Sequence, residues 1–273
     1  MEVKKVLQRE YNPAHPNFER WQKAREISED RAKFVEKILS HDIALKGLKI
    51  LDFGSGEGST SELLSKENSV ISIEIKPERV KKISPTDSLQ PILSNGLKLP
   101  LKPNSFDVII LQDVIEHIPI NRSFFEYLSK FLKENGIIYL STPNRLSLIN
   151  IISDPHWGIP LLSLFKRDQI KKYFLKVFRK VDFNRDDIAE LLSLNKIKQL
   201  AGKDFQIKIL THFSVEHLLN DGKGLVWSDF HKGLIRVANL PFIRSMLLKI
   251  SNDKPGVVNK FFTPTFYIIL KKK

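Results

Sequence analysis

Residues 50–59, Ile-Leu-Asp-Phe-Gly-Ser-Gly-Glu-Gly-Ser, are the stretch whose residue types and spacing point most directly to chemistry. Gly54, Gly56 and Gly58 alternate through a turn. Glycine is needed where the backbone takes positive φ or lets a ligand approach without a Cβ in the way. Eighteen residues after Gly56, Glu74 closes the apolar run Val70-Ile71-Ser72-Ile73. An acid at that distance is placed to accept hydrogen bonds from the two hydroxyls of a ribose. Strand, glycine turn, helix, strand and acid together describe a pocket for an adenosine-containing cofactor. The spacing is G-x-G-x-G, with Ser59 where a dinucleotide fingerprint has its third glycine, and no phosphate-loop lysine follows.

The elements that must position these groups follow from periodicity. Leu48 to Phe53 predicts a strand, residues 60–66 a helix, and Val70 to Glu74 a second strand. Pro77 to Ile83 predicts a helix with proline in its first turn. A short strand from Pro91 closes on the Asn95-Gly96 turn, and Phe106 to Leu111 is a nearly continuous apolar run. Such a run fits a strand buried on both faces of a parallel sheet. Arg122 to Lys133 predicts a helix, and Ile137 to Ser141 a fifth strand after Asn135-Gly136. The alternation predicts a doubly wound, Rossmann-like α/β sheet with ligands at the carboxyl ends of its strands. Ahead of it, Phe18 to Leu45 predicts a lead-in helix; Trp21 and Tyr11 either pack in the core or close over the cofactor.

With Asp52 two residues before the first glycine, the turn resembles motif I of the class I S-adenosylmethionine-dependent methyltransferases. Residues 95–100 (Asn-Gly-Leu-Lys-Leu-Pro), residues 104–109 (Asn-Ser-Phe-Asp-Val-Ile) and Glu116-His117-Ile118 are similar, in order and spacing, to successive motifs of the ubiquinone-type branch. The resemblance covers residues 46–145 and implies S-adenosylmethionine as cofactor. It also implies a mostly parallel seven-stranded sheet whose last strand, here Phe266 to Leu270, is antiparallel. On this resemblance the cofactor contacts are Asp52, Gly54, Ser55, Gly56, Gly58, Glu74, Asn95, Gly96 and Gln112. Asp52 would organise the loop and the methionine ammonium, Glu74 would hold the ribose, and Asn95 with the Gly96 amide the adenine. The family usually has aspartate where this chain has Asn95; the amide oxygen still accepts, which implies a weakened or reoriented contact. Gln112 and Asp113 fall where family members contact the methionine part or the acceptor. His117 and His156 have a suitable titration range for a base and, with Asp113, are the catalytic candidates. The histidines are scattered and no carboxylate cluster has ligand spacing, so no metal site is expected.

Composition limits the rest. The 273 residues fit one sizeable domain with an insertion, or two small domains. Without cysteine there is no disulfide or thiolate chemistry. The polar start of the chain predicts no signal peptide, and no apolar run reaches the ~18 residues of a spanning helix. A cytoplasmic protein, at most peripheral to the inner face of a membrane, is expected. The net charge of +13 is uneven: residues 1–145 carry 22 basic and 20 acidic side chains, residues 146–273 carry 22 and 11. That asymmetry suggests an anionic partner, whether a phosphorylated acceptor, a membrane surface or nucleic acid; the alternative is lysine-rich helix faces that only meet solvent.

Residues 166–181 read as an amphipathic helix, with Ile170, Tyr173, Phe174, Val177, Phe178 and Val181 as its stripe and lysines and arginines between. The stripe either packs in the core or lies on an anionic membrane. Residues 185–200 and 234–250 predict further helices, and Phe205 to Leu210 a sixth strand. Residues 154–160 are similar to a segment of methyltransferases acting on glycans or glycan precursors. The expected organisation is a cofactor core over 1–145, a lid and basic acceptor-side region over 146–261, and the final strand within 262–273. The expected activity is methyl transfer to an acceptor, with a hydroxyl of a phosphorylated or lipid-linked glycan precursor as the favoured target. RNA methylation and a catalytically silent cofactor-binding role are the alternatives. RNA is less favoured, because no RNA-binding module is present and the aromatics fit apolar stripes.

Overall fold

The computed structural model describes residues 11–119, 121–185, 187–225 and 229–273. Two helices open it, α1 (Phe18–Glu26) and α2 (Ser28–Asp42), where the sequence predicts one. The break falls at Ile27, just ahead of Ser28-Glu29-Asp30, a sequence suited to a new amino-terminal turn. The chain continues through β1 (Lys49–Phe53), α3 (Ser59–Leu64), β2 (Ser69–Glu74), α4 (Pro77–Val80) and β3 (Leu89–Leu93). Then come β4 (Phe106–Gln112), α5 (Arg122–Phe131) and β5 (Leu132–Pro143). These five strands pair in parallel, and β6 (Phe205–Ile209) and β7 (Thr265–Lys272) complete a seven-stranded sheet ordered β3-β2-β1-β4-β5-β7-β6. Only β7 runs against its neighbours, antiparallel to both β5 and β6. This is the Rossmann-like sheet with an antiparallel last strand that the motifs imply.

Period-two burial explains why the sheet needs cover on both sides. Val108 and Ile110 of β4 join one cluster with Phe34, Ile38 and Leu39 of α2 and Leu64 of α3. Ile109 and Leu111 face the other way, into a cluster with Phe124, Phe125 and Leu128 of α5. The same alternation puts Ile137 and Tyr139 of β5 on the first face and Ile138 and Leu140 on the second. Asn121 caps α5, its side-chain oxygen accepting from the Phe124 N–H at 3.2 Å.

After β5 the sequence expectations need correction. A short α6 (Leu148–Ile152) is followed by the turn 162–164, and the stretch 166–181 is not one helix. It is divided into α7 (Arg167–Gln169), a π-helical turn (Ile170–Leu175), α8 (Lys176–Phe178) and a 3-10 turn (Lys180–Asp182). A π turn adds a residue per turn, so a stripe spaced for 3.6 residues loses its register. Ile170 and Leu175 are buried, while Tyr173, Val177, Phe178 and Val181 are exposed. Residues 187–192 are not helical either: Leu192 bridges to Asn144, and helix begins only with α9 (Leu194–Ala201). Leu194, Ile197 and Leu200 of α9 and Phe205 of β6 join the second-face core cluster. α10 (Thr211–Asn220) follows β6, and the helix predicted for 234–250 is two, α11 (Asp229–Ala238) and α12 (Pro241–Ile250). Pro241 forces that break, because it has no N–H for a continuing helix. No helix among the described residues is long and apolar enough to cross a membrane.

Phe266 of β7 is fully buried against the second-face cluster. Phe266→Ala is expected to cost about 3–5 kcal/mol. Urea unfolding should show this as a lowered midpoint at unchanged slope.

Candidate active site

β1 ends at Phe53, and the chain turns through Gly54, Gly56 and Gly58 with φ of +78°, +61° and +92° before α3. The Gly54 and Ser55 N–H groups donate to the Ile73 carbonyl, at 2.7 and 3.0 Å, which pins the turn to β2. A Cβ on Gly54 would fall 2.6 Å from Val114, and one on Gly58 2.6 Å from Ile83. At Gly56 it would meet nothing within 4 Å and would project into open space, so here the bare backbone faces a vacant approach. Glu74, at the end of β2, accepts from the Gly56 N–H (3.0 Å) and the Lys76 N–H (2.9 Å) and is buried. Asp52 is also buried, and the Ser61 hydroxyl donates to it at 2.5 Å. Burial pushes the Asp52 carboxyl up to about 6; the Ser61 hydrogen bond opposes this and the Glu74 charge adds to it. The Ser55 hydroxyl oxygen is buried with no partner among the described residues.

A cavity of about 290 Å3 opens in front of this turn, and Trp21, Arg25, Arg31, Gln112, Asp113 and His117 are among the residues that line it. Thr60 donates to the Gln112 side-chain oxygen at 2.8 Å. Asp113 has φ +54°, unusual for a residue with a Cβ. Its carboxylate accepts from the Ser141 hydroxyl at 2.8 Å and pairs with the Arg31 guanidinium. Glu74, Asn95 and Gly96 are not among the cavity's wall residues. Asn95 is exposed, with its side-chain oxygen accepting from the Leu97 N–H at 3.1 Å. Gly96 is buried, and a Cβ there would lie 2.2 Å from the Phe53 ring.

Beyond Asp113, three groups from two segments converge. His117 Nδ1 lies 2.9 Å from the Asp187 carbonyl; a carbonyl only accepts, so Nδ1 carries the proton and Nε2 keeps a lone pair. The His156 ring stands edge-on, 5.1 Å away, and its Nδ1 is buried without a partner among the described residues. Burial holds both imidazoles below the ordinary value of 6.5, His156 well below it. Glu116 is fully buried; one carboxyl oxygen accepts from Thr142 at 3.0 Å and the other has no partner among the described residues. Burial, and then the Asp113 charge, raise its pKa well above the ordinary carboxylate range. One donor atom each from Glu116, His117 and His156 lie within 4.8 Å of one another. Such a trio could share a proton or hold a divalent cation. Sequence spacing predicts no ligand cluster, because His156 comes from a separate loop 39 residues after His117.

That loop is tied to the amino-terminal arm. Asn17 donates to the His156 carbonyl (3.2 Å), and Arg20 donates to the Pro155 carbonyl (3.2 Å). His15 Nδ1 accepts from the Asn17 N–H, so its Nε2 carries the proton shared with buried Asp182 at 3.2 Å. Tyr11 reaches Glu57 of the glycine turn, and Lys82 donates to the Tyr11 hydroxyl at 2.6 Å. Sequence reasoning left Tyr11 and Trp21 open between core and closure. The structure places Tyr11 on the glycine turn, and Trp21 on the cavity wall, its ring stacked on His15. Arg31 was missed altogether, since one arginine in a helical stretch gives no signal until the fold sets it against Asp113.

Comparison with known proteins agrees with this geometry. Residues 44–179, about half of the chain, match the family model described as a methyltransferase domain. A ubiquinone biosynthesis O-methyltransferase from Pelagibacter ubique is 28% identical over 183 residues, spanning 63% of this chain and 71% of that one. The mitochondrial ubiquinone biosynthesis O-methyltransferase of Schizosaccharomyces pombe is 28% identical over 135 residues, spanning 46% and 49%. The chain thus spans only about half the length of the yeast relative. Among solved structures, an S-adenosylmethionine-dependent methyltransferase from Mesorhizobium loti shares the fold at TM-score 0.54, with 14% identity over 87% of this chain and 96% of that one.

The Asp52 shift predicts a pH-dependent stability. A carboxyl raised from 3.8 to about 6 favours the folded state while protonated, so its penalty is absent at lower pH and sets in as pH rises through that window. Asp52→Asn should therefore leave ligand-free stability unchanged near pH 3.5 and raise it by about 1–3 kcal/mol near pH 7.5. Thermal melts of both proteins across that range would check this.

Proposed function

The chain belongs to the class I S-adenosylmethionine-dependent methyltransferases, and on that premise we propose that it methylates a hydroxyl of an anionic small acceptor, of the kind carried by phosphorylated or lipid-linked glycan precursors. The observation that carries the reading is the placing of His117, with a free lone pair on Nε2, in the wall of the cavity that the glycine turn also lines. The basic excess of residues 146–273, 22 basic against 11 acidic side chains, favours an acceptor with negative charge. The two relatives' names specify transfer to oxygen.

The residues fit S-adenosylmethionine. The Gly56 position leaves open space, Glu74 is a buried carboxylate at ribose distance along the chain, and Asp52 and the Ser55 hydroxyl supply polar groups behind the turn. When bound, the cofactor supplies a methyl group on a sulfonium, already electrophilic. Glu74, Gly54, Gly56 and Gly58 would hold its ribose and approach it closely, and Gln112 and Asp52 its methionine end. Asn95 keeps a second lone pair on its amide oxygen for the adenine amino group. His117 Nε2 would take the acceptor hydroxyl proton as the oxygen attacks, and the Asp187 carbonyl would hold the resulting imidazolium by its other N–H. The arm and the 154–157 loop would exclude water. Holding the acceptor in line can supply about 7–11 kcal/mol of the barrier.

Incubation with methyl-labelled S-adenosylmethionine and fractionated extract tests this reading. Label is expected in phosphorylated or lipid-linked glycan material. Label confined to RNA, or cofactor binding with no transfer into any fraction, would sink the acceptor assignment. His117→Ala should lower kcat by about 10²–10⁴ with cofactor Kd nearly unchanged. The acid limb of its pH–kcat profile, expected below 6.5 in the parent because burial lowers the imidazole, should disappear. Glu74→Ala should do the reverse, weakening cofactor binding in a calorimetric titration about tenfold or more.

A further inference from the structure

Among the described residues, every exposed large apolar side chain except Ile75, Leu93 and Leu97 lies after residue 145. That is also the part of the chain with 22 basic and 11 acidic side chains. Exposed apolar groups and net positive charge in one region are the composition of an interfacial surface.

Some of these side chains lie on segments that pack on one another. α6 carries Ile149 and ends on Ile152, which is 70% exposed. The Leu161 N–H donates to the Ile151 carbonyl at 2.7 Å, which brings the 161–165 turn alongside with Leu161, Leu164 and Phe165 exposed. α6 packs as well on the short helix 258–262, where Phe262 is exposed. Lys166 follows the turn directly and Lys260 lies on that short helix. Leu161 supplies a second, independent sign. It holds φ +65°, a left-handed conformation that costs a leucine about 1–2 kcal/mol, yet it is 56% exposed and gains little core burial in return.

We infer that this surface docks the protein on an anionic lipid bilayer, with the 161–165 turn and α6 at the acyl boundary and the lysines among the head groups. Charge complementarity selects this occupant. A two-fold contact with a second copy would set the basic groups of this surface against themselves, whereas anionic lipid contributes about 1 kcal/mol per basic residue near the surface. Nucleic acid would call for exposed aromatic stacking platforms, and most of the side chains here are aliphatic. The inference rests on this surface and stands apart from the methyl-transfer reading. Were both to hold, the 154–157 loop bearing His156 would lie next to the membrane, open to an acceptor with an apolar tail.

Flotation of the full chain with vesicles tests it. Binding is expected to phosphatidylcholine vesicles containing about 30% phosphatidylglycerol, to weaken as salt is raised, and to be much weaker with phosphatidylcholine alone. Ile152→Glu/Leu161→Glu should lower the partition coefficient by about tenfold or more. Lys98→Glu, an equal change of charge on the β3–β4 connection, should leave it within about twofold. Leu161→Gly removes the side chain and the strain together, so it should keep or raise the melting temperature and still lower partitioning several-fold. Parent-like flotation of a folded double variant would overturn the proposal. So would a concentration-dependent mass in light scattering that the double variant abolishes while vesicles are ignored. Methyl transfer to a water-soluble acceptor, measured without vesicles, reports on the catalytic reading independently.

Discussion

The contact between Asp113 and Arg31 holds three parts of the molecule in one place. Asp113 sits where β4 ends, in a left-handed backbone that turns the chain away from the sheet. Its carboxylate binds Ser141 of β5 and Arg31 of α2, joining two strands to the helix that covers their first face. Burial raises Glu116, Tyr139 and Tyr267, and the same charge adds to each shift. One carboxylate and one guanidinium thus tie these elements together. Removing either would leave its partner half-buried without a counter-charge, a larger loss than the pair itself contributes.

Much of the cofactor half was legible, because it is written in local patterns. A buried parallel strand reads as an apolar run, and a glycine turn between strand and helix needs only ten consecutive residues to be seen. Glu74 could be placed because it closes the next apolar run, 18 residues after Gly56. The groups around His117 were not legible in the same way. His117 and His156 meet through a loop held by Asn17 and Arg20, and no spacing rule connects residues 17, 117 and 156. The Asp187 carbonyl that fixes the His117 tautomer is a backbone atom, invisible to any reading of side-chain types. The stripe in 166–181 was real as a pattern, but the π turn inside it shifts the phase, so four of its six side chains face solvent.

The glycine turn also shows stability set against use. Asp52 is buried close to a second carboxylate, with one hydroxyl to support it. A ligand-free protein would be better served by a neutral amide there. Retaining a costly buried charge behind a turn of open backbone is what a site for a cationic ligand requires.

The position of β7 has a consequence for assembly. It follows β6 in the chain but lies between β6 and β5, and β6 has no other strand partner in the sheet. Until β7 docks, β6 cannot join the sheet, and the outer edge of β5, lined with unpaired N–H and carbonyl groups, stays open. A growing polypeptide would therefore hold a nearly complete cofactor pocket with an unclosed sheet edge for as long as it takes to make residues 144–264. That exposed edge, and not the glycine turn, is where self-association during synthesis would begin.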